Sequence, residues 1–273
     1  FFRTVHGWLP IVSKRYFHEY LISFPAACQP EIVLLLCCMK LLTTSADGES
    51  FEPRSSLYLA TRRLSNELED MGNFSLQALQ ARVLLAYYEL GYAIYPAAYL
   101  ATGYCAKYGI ALGLHSTSFQ AEPTFSLDEI EQRRRTWWAI LVLERFIRLG
   151  YPDHVLLTPE PSIWDNLPTD DDVWDNQVII TSTVRLTATD VFKKPGRFAI
   201  LAQGAYLLGC VIRNVSRSEV VAPGSLQDDE AQQLRRTLSA LLRLSDVATG
   251  AQNYDFCAQK SLCYRYSPAF ISP

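Results

Sequence analysis

From Trp137 to Leu143 the chain reads WWAILVL, apolar at every position, inside a stretch that carries helix signals at both ends. Ser126 stands as N-cap, Asp128, Glu129 and Glu131 lie in the opening turns, Arg148 in the last turn, and Gly150 is a stop. The pattern predicts a helix over Ser126–Gly150. A helix that is apolar all round must be enclosed by other elements, so this one is placed as the central buried rod of an all-α fold.

The rest of the pattern supplies its surroundings. The aromatic opening Phe1–Pro10 is expected to lie across the bundle, followed by a short helix capped by Ser13 that puts Phe17, Tyr20 and Leu21 on one side. Pro30 opens a second helix with Glu31 at its positive end, and its run IVLLLCCMKLL reads as buried. A polar loop over Ser45–Glu52 leads to a helix from Pro53, with Leu57, Ala60, Leu64 and Leu68 at helical spacing on its inner side and Gly72 at its end. Ser75 caps a helix from Leu76 to about Gly91 whose inner face is Leu76, Leu79, Val83 and Tyr87. Another runs from Pro96 to Gly113, where the small residues Ala97, Ala101 and Gly103 let a neighbour approach. Short turns make these antiparallel helical hairpins, without the fixed period of a repeat array.

Beyond Gly150, Pro152, Pro159, Pro161 and Pro168 block helix formation, so Tyr151–Asn176 is expected as an extended loop pinned by Ile163, Trp164, Leu167 and Trp174. Gln177–Val191 is rich in β-branched residues but has no second strand to pair with, and reads as helix. Helices over Arg197–Arg217, with Ala202, Gly204, Ala205 and Gly209 as close-contact positions, and over Gln227 to about Thr249 complete a single irregular multi-helix bundle.

Arg133 and Arg134 stand one turn before Trp137 and Trp138, where each guanidinium can lie along an indole, and Arg135 can reach Glu131 at the i,i+4 spacing. A phosphate-binding patch is the rival reading of these arginines, but three acidic neighbours weaken it. The same residues carry a resemblance. Gly109, Leu112, Gly113, Leu114 and His115, then Glu131, Arg133, Arg134, Arg135, Trp137 and Trp138, then Glu144 and Arg145, then Leu167, Pro168, Asp171, Asp172 and Trp174 look like the fungal-specific transcription factor domain. That domain is the helical middle homology region of fungal zinc-cluster (Zn2Cys6) regulators. Phe2, His6, Trp8, Pro10 and Phe17 fit the family's opening, and Glu144 departs from it only in replacing the usual Asp. The resemblance covers residues 1 to about 175 and thins afterwards.

The resemblance implies that residues 1–273 are the regulatory region of such a factor, with its zinc binuclear cluster N-terminal to Phe1 and with nuclear localisation. DNA contact and zinc are then expected only in that cluster. Within the chain the implied role is a switch that contacts other segments of the regulator, co-regulator proteins or a small apolar effector; a homodimer is compatible with it. No catalytic, metal or DNA-binding residue is assigned. Arg134, Arg135, Trp137, Trp138, Glu144 and Arg145 are read as structural residues of the rod, with Trp164, Leu167, Pro168 and Trp174 clasping it.

Composition narrows the alternatives. With 273 residues, 49% of them hydrophobic, the chain can bury one large core. A net charge of −3 gives it little affinity for nucleic acid through counterion release. Seven cysteines, most of them inside apolar runs, suit reduced thiols in cytosol or nucleus, and adjacent Cys37 and Cys38 diverge on a helix instead of chelating as a C-x-x-C pair. The longest apolar stretch, Ile32–Leu42, is too short for a bilayer, and the opening at Phe1 without Met reads as a fragment of a longer protein. Tyr88, Tyr92, Tyr95 and Tyr99 are weighed both as a packed seam and as an aromatic effector pocket. Asp171, Asp172 and Asp175 spell the D-D-x-x-D of class I terpene synthases, but the partner metal motif of those enzymes is missing. A helical protein-interaction scaffold is the other alternative.

Overall fold

The computed structural model of the chain describes residues 1–21, 29–44, 52–116, 124–150, 155–162, 165–176 and 196–218, together with 232–234, 236, 237 and 239. The fold is all-α, and no strand occurs among the described residues. The chain divides into two compact units, Phe1–Pro159 with Trp174–Gln177, and Glu160–Val173 with Val178–Pro273.

The first unit opens with a 3-10 turn, Val5–Gly7, and a short helix α1, Lys14–Tyr16, that runs into a π turn over Phe17–Leu21. Ser13 caps α1 by accepting from the Tyr16 N–H at 3.2 Å. Four helices follow: α2 (Pro30–Thr43), α3 (Ser56–Asp70), α4 (Leu76–Gly91) and α5 (Ala97–Ala111). Then comes α6 (Leu127–Gly150), whose N-cap Ser126 accepts from the Glu129 N–H at 3.2 Å. Helix α2 packs on α3 and α4, α4 also on α5 and α6, and α5 on α6.

The expected core of α6 is borne out, with Trp138 2% exposed and Ile140 fully buried. Helix α4 is enclosed to a similar degree, burying thirteen residues from Leu76 to Glu89, so the unit has two central rods and not one. In α2 only one face of the apolar run is inside; Val33 and Leu36 are exposed. Helix α3 is rotated from the expected orientation. Its cap is Ser55, and its buried stripe is Tyr58, Thr61, Ser65 and Leu68, with Ala60 exposed. The physical reason is that α3 faces charged groups of α4: the Tyr58 hydroxyl donates to Glu89 and the Ser65 carbonyl accepts from Arg82.

Helices α3, α4 and α5 end in the same way. After α3, the left-handed residue is Gly72 (φ 70°), with Gly72 N–H bonding Glu69 O and Asn73 N–H bonding Leu68 O, each at 2.9 Å. After α5, Gly113 (φ 73°) plays that part, with Leu114 N–H on Gly109 O at 2.9 Å. After α4 the same Schellman closure is made by Ala93 at φ 52°, with Ile94 N–H on Glu89 O at 2.8 Å.

Helix α7 (Asp171–Asp175) is a single turn inside the stretch expected to be wholly extended. Asp170 nucleates it by accepting from the N–H groups of Asp172 (3.0 Å) and Val173 (3.2 Å). In the second unit, α8 (Arg197–Ser218) matches the expected helix, and Ala202, Gly204, Ala205 and Gly209 are all buried. Asp171 accepts from the Phe198 N–H at 3.1 Å, placing a carboxylate at the positive end of α8. Ile163, Trp164 and Gln177–Val191 lie outside the described residues, as does most of the helix expected over Gln227–Thr249.

Candidate functional site

In the charged opening half of α6, Glu131, Arg134 and Arg135 are buried, and polar groups of this half grip two remote parts of the first unit. Glu131 accepts from Arg135 Nε at 2.8 Å and, through its other oxygen, from Arg134. The Arg135 guanidinium lies 4.0 Å over the Trp174 ring and donates to Pro10 O at 3.3 Å. The Trp174 indole N–H donates to Asp128 at 2.9 Å, and the His6 ring stacks on the same indole. His6 Nε2 also meets Asp175 Oδ1 at 3.1 Å. Burial by itself raises the Asp175 carboxyl pKa, but the hydrogen bond and charge of His6, with Lys14 and Arg135, outweigh it and hold the group below its usual value. The expectation that Arg133 lies along Trp137 is corrected: Arg133 pairs with Glu129 at 3.2 Å and lies 3.9 Å over Phe125, just before the helix.

Trp137 has a different neighbour. A Cβ added to Gly109 would sit 3.0 Å from Trp137 Cζ3 and 3.2 Å from Ile140 Cδ1, so glycine lets α5 lie this close to α6 without either side chain having to shift. Leu112 caps α5, Gly113 supplies the left-handed turn, and Leu114 after it is buried. Further along, Glu144 accepts from the N–H groups of Leu157 and Thr158 and from the Thr158 hydroxyl, and Arg145 donates to Glu144 at 3.2 Å and to Thr158 at 3.4 Å. That cluster ties the start of the extended segment to the rod. Leu167 and Pro168 are buried in the second unit.

The three aspartates of the D-D-x-x-D motif do separate jobs. Asp171 serves the start of α8, Asp175 holds His6, and Asp172 is exposed. Among the described residues no group of three metal-ligating side chains converges.

The tyrosines of α4 and α5 are spread over different environments. Tyr88 is buried, donates to Pro53 O at 2.8 Å and has Tyr58 and Tyr92 rings beside it. Tyr92 and Tyr95 are half-buried, and Tyr99 is exposed. A cleft of about 180 Å³ lies where α3, α4 and α5 meet, with Arg62, Glu69, Arg82, Glu89, Leu100 and Tyr104 in its walls. Glu89 is 0% exposed. Its Oε1 accepts from Arg62 at 2.6 Å and from the Tyr58 hydroxyl at 2.9 Å, while no donor among the described residues reaches Oε2. Arg82 donates to Ser65 O, pairs with Glu69 at 3.3 Å and lies 4.2 Å over the Tyr104 ring.

Burial, helped by the charge of Glu89, pushes the Tyr58 hydroxyl up to about 12. Burial also pushes the Cys105 thiol up to about 12, against the lowering effect of Arg82, and raises Cys38. Sequence reasoning did not single out the charged residues of this cleft. The available signal was the polar spacing Tyr58, Thr61, Ser65 along α3, which leucine spacing obscured.

Buried His6, Arg135, Glu144 and Arg145 fasten loop segments to helices, the use expected of a helical module that holds its own segments in place. The chain belongs to the family described as the fungal specific transcription factor domain, whose model matches residues 1–245. It is 42% identical to Transcription factor BOA15 of Botryotinia fuckeliana over 116 residues, which cover 42% of this chain and 64% of that protein. Transcription factor tazR of Aspergillus terreus is 32% identical over 55% of the chain and 24% of the relative. The pigment biosynthesis transcriptional activator pigB of Monascus ruber is 30% identical over 56% of the chain and 30% of the relative. The chain thus matches less than two thirds of the length of each. No solved structure matches it. No described helix is long and apolar enough to cross a membrane.

Proposed function

We propose that the chain is the regulatory region of a fungal zinc-cluster transcription factor, acting in the nucleus on transcription by RNA polymerase II. The observation that carries this reading is the family match over residues 1–245. The transcription-factor relatives support it further, and so does a net charge of −3, which suits a region that leaves phosphate contact to another part of the protein. The zinc cluster that reads DNA belongs to another segment of the same polypeptide. The region works as a two-state switch: contacts with other segments, co-regulators or a small effector favour one state and set whether an activating segment is available.

The test is a deletion of the codons for residues 1–245 from the full-length gene, with target transcription followed under inducing and non-inducing growth. The expected result is transcription that no longer responds to the inducing condition, either constitutively on or off. Unchanged inducible transcription overturns the proposal.

A further inference from the structure

Glu89 has no structural account as complete as those of the buried acids on α6. It sits in the last turn of α4, where the negative end of the helix disfavours a carboxylate, and it is fully buried with one oxygen unanswered among the described residues. An orphaned buried acceptor costs stability, and an apolar residue there would avoid the cost. What covers Glu89 is the side chain of Arg62, itself 37% exposed and able to swing into solvent. The exposed Leu100 and the Tyr104 ring contribute an apolar wall to the same cleft. Its charged lining is balanced, with the guanidiniums of Arg62 and Arg82 against the carboxylates of Glu69 and Glu89.

We propose that the cleft bounded by α3, α4 and α5 binds a small zwitterion of amino-acid size, whose ammonium group reaches Glu89 and whose carboxylate meets the Arg62 and Arg82 guanidiniums. Size supports this: a cavity of about 150 Å³ takes a benzene ring, and this cleft measures about 180 Å³. Charge supports it too, because a ligand of one sign would face two like charges in the walls, whereas a ligand with both signs meets a partner for each. On binding, Arg62 exchanges Glu89 for the incoming carboxylate, and Glu89 exchanges a half-exposed guanidinium for an ammonium group that also satisfies its second oxygen. Because Arg62 is on α3 and Glu89 on α4, occupancy changes how α3 is fastened to α4, which is the differential contact a switch needs.

The proposal deepens the regulatory reading and relies on it for any effect on transcription. Binding is measured on the 273-residue chain alone. The common free L-α-amino acids are offered one at a time at about 10 mM, with butylamine and butyrate as single-charge controls, and Tm and calorimetric heat are followed. At least one amino acid is expected to raise Tm by about 4 °C or more when present at a hundredfold excess over its Kd, with neither control doing so. The shift is expected to disappear in Glu89→Gln, and also in Ala101→Phe, which fills the cleft from α5 while keeping the Glu89 and Arg62 side chains in the sequence. No binding by any amino acid overturns the proposal, as does a shift of equal size in Ala101→Phe or in either single-charge control. A chain that binds none of them while its deletion still abolishes inducible transcription removes the cleft proposal and leaves the regulatory one standing.

Discussion

Helices α4 and α6 are both buried along most of their length, yet their buried carboxylates are answered in opposite ways. On α6, Glu131 answers two arginines, Arg135 is stacked on Trp174, and Glu144 holds Thr158 through backbone and side chain. On α4, Gln80 is used in the same spirit, donating to Ile11 O at 2.7 Å, but Glu89 keeps an unanswered oxygen beneath a movable arginine. The difference teaches how to tell fastening from readiness. A buried carboxylate with both oxygens answered is fixing the fold, whereas one left half satisfied beside a cleft is available to something else.

That distinction breaks or sharpens on measurement. Glu131→Ala strips two buried arginines of their partner and is expected to cost about 3–5 kcal/mol in denaturant unfolding. Glu89→Gln is expected to cost less, about 1–2 kcal/mol, since one of its oxygens contributes no bond to the fold as it stands. Equal losses in the two variants would erase the contrast between the helices.

A smaller effect concerns the edge of the α6 clasp. Asp175 has a folded pKa below its usual 3.8, so its contribution is fully present above that value and is lost as pH falls through the lower folded value. Asp175→Asn should therefore lose less stability than the parent between neutral and strongly acid pH. Identical acid sensitivity would take the His6 contact out of the clasp. The smallest effect has the opposite sign: Ala93→Gly removes left-handed strain from the α4 terminus beside Glu89 and should gain about 0.5–1 kcal/mol. A loss of stability there would mean that the Ala93 methyl group packs to advantage.

Much of the fastening side was legible in the sequence. Ser75, Leu76 and Gly91 mark α4 at its observed bounds, Ser126 caps α6 as expected, and the WWAILVL run is inside. These are local signals, a cap, a period and a stop, and a single helix suffices to express them. What stayed hidden depended on partners far along the chain. Nothing near Arg135 points to Trp174 as its stacking partner, and nothing near Tyr58 says that a carboxylate on α4 will turn the polar side of α3 inward. What the D-D-x-x-D aspartates do was hidden for the same reason: the first and last are claimed by Phe198 and His6.

Helix α3 shows where this leads in time. Its inner stripe is Tyr58, Thr61, Ser65 and Leu68, so the Tyr58 hydroxyl, the Ser65 carbonyl and two charge pairs do much of the holding that leucines do elsewhere. Such bonds trade readily with water, and their ionic part fades as electrolyte is added. Amide deuteration should thus sweep through α3 well before α4, and sooner in concentrated salt, marking it as the part of the molecule that opens first.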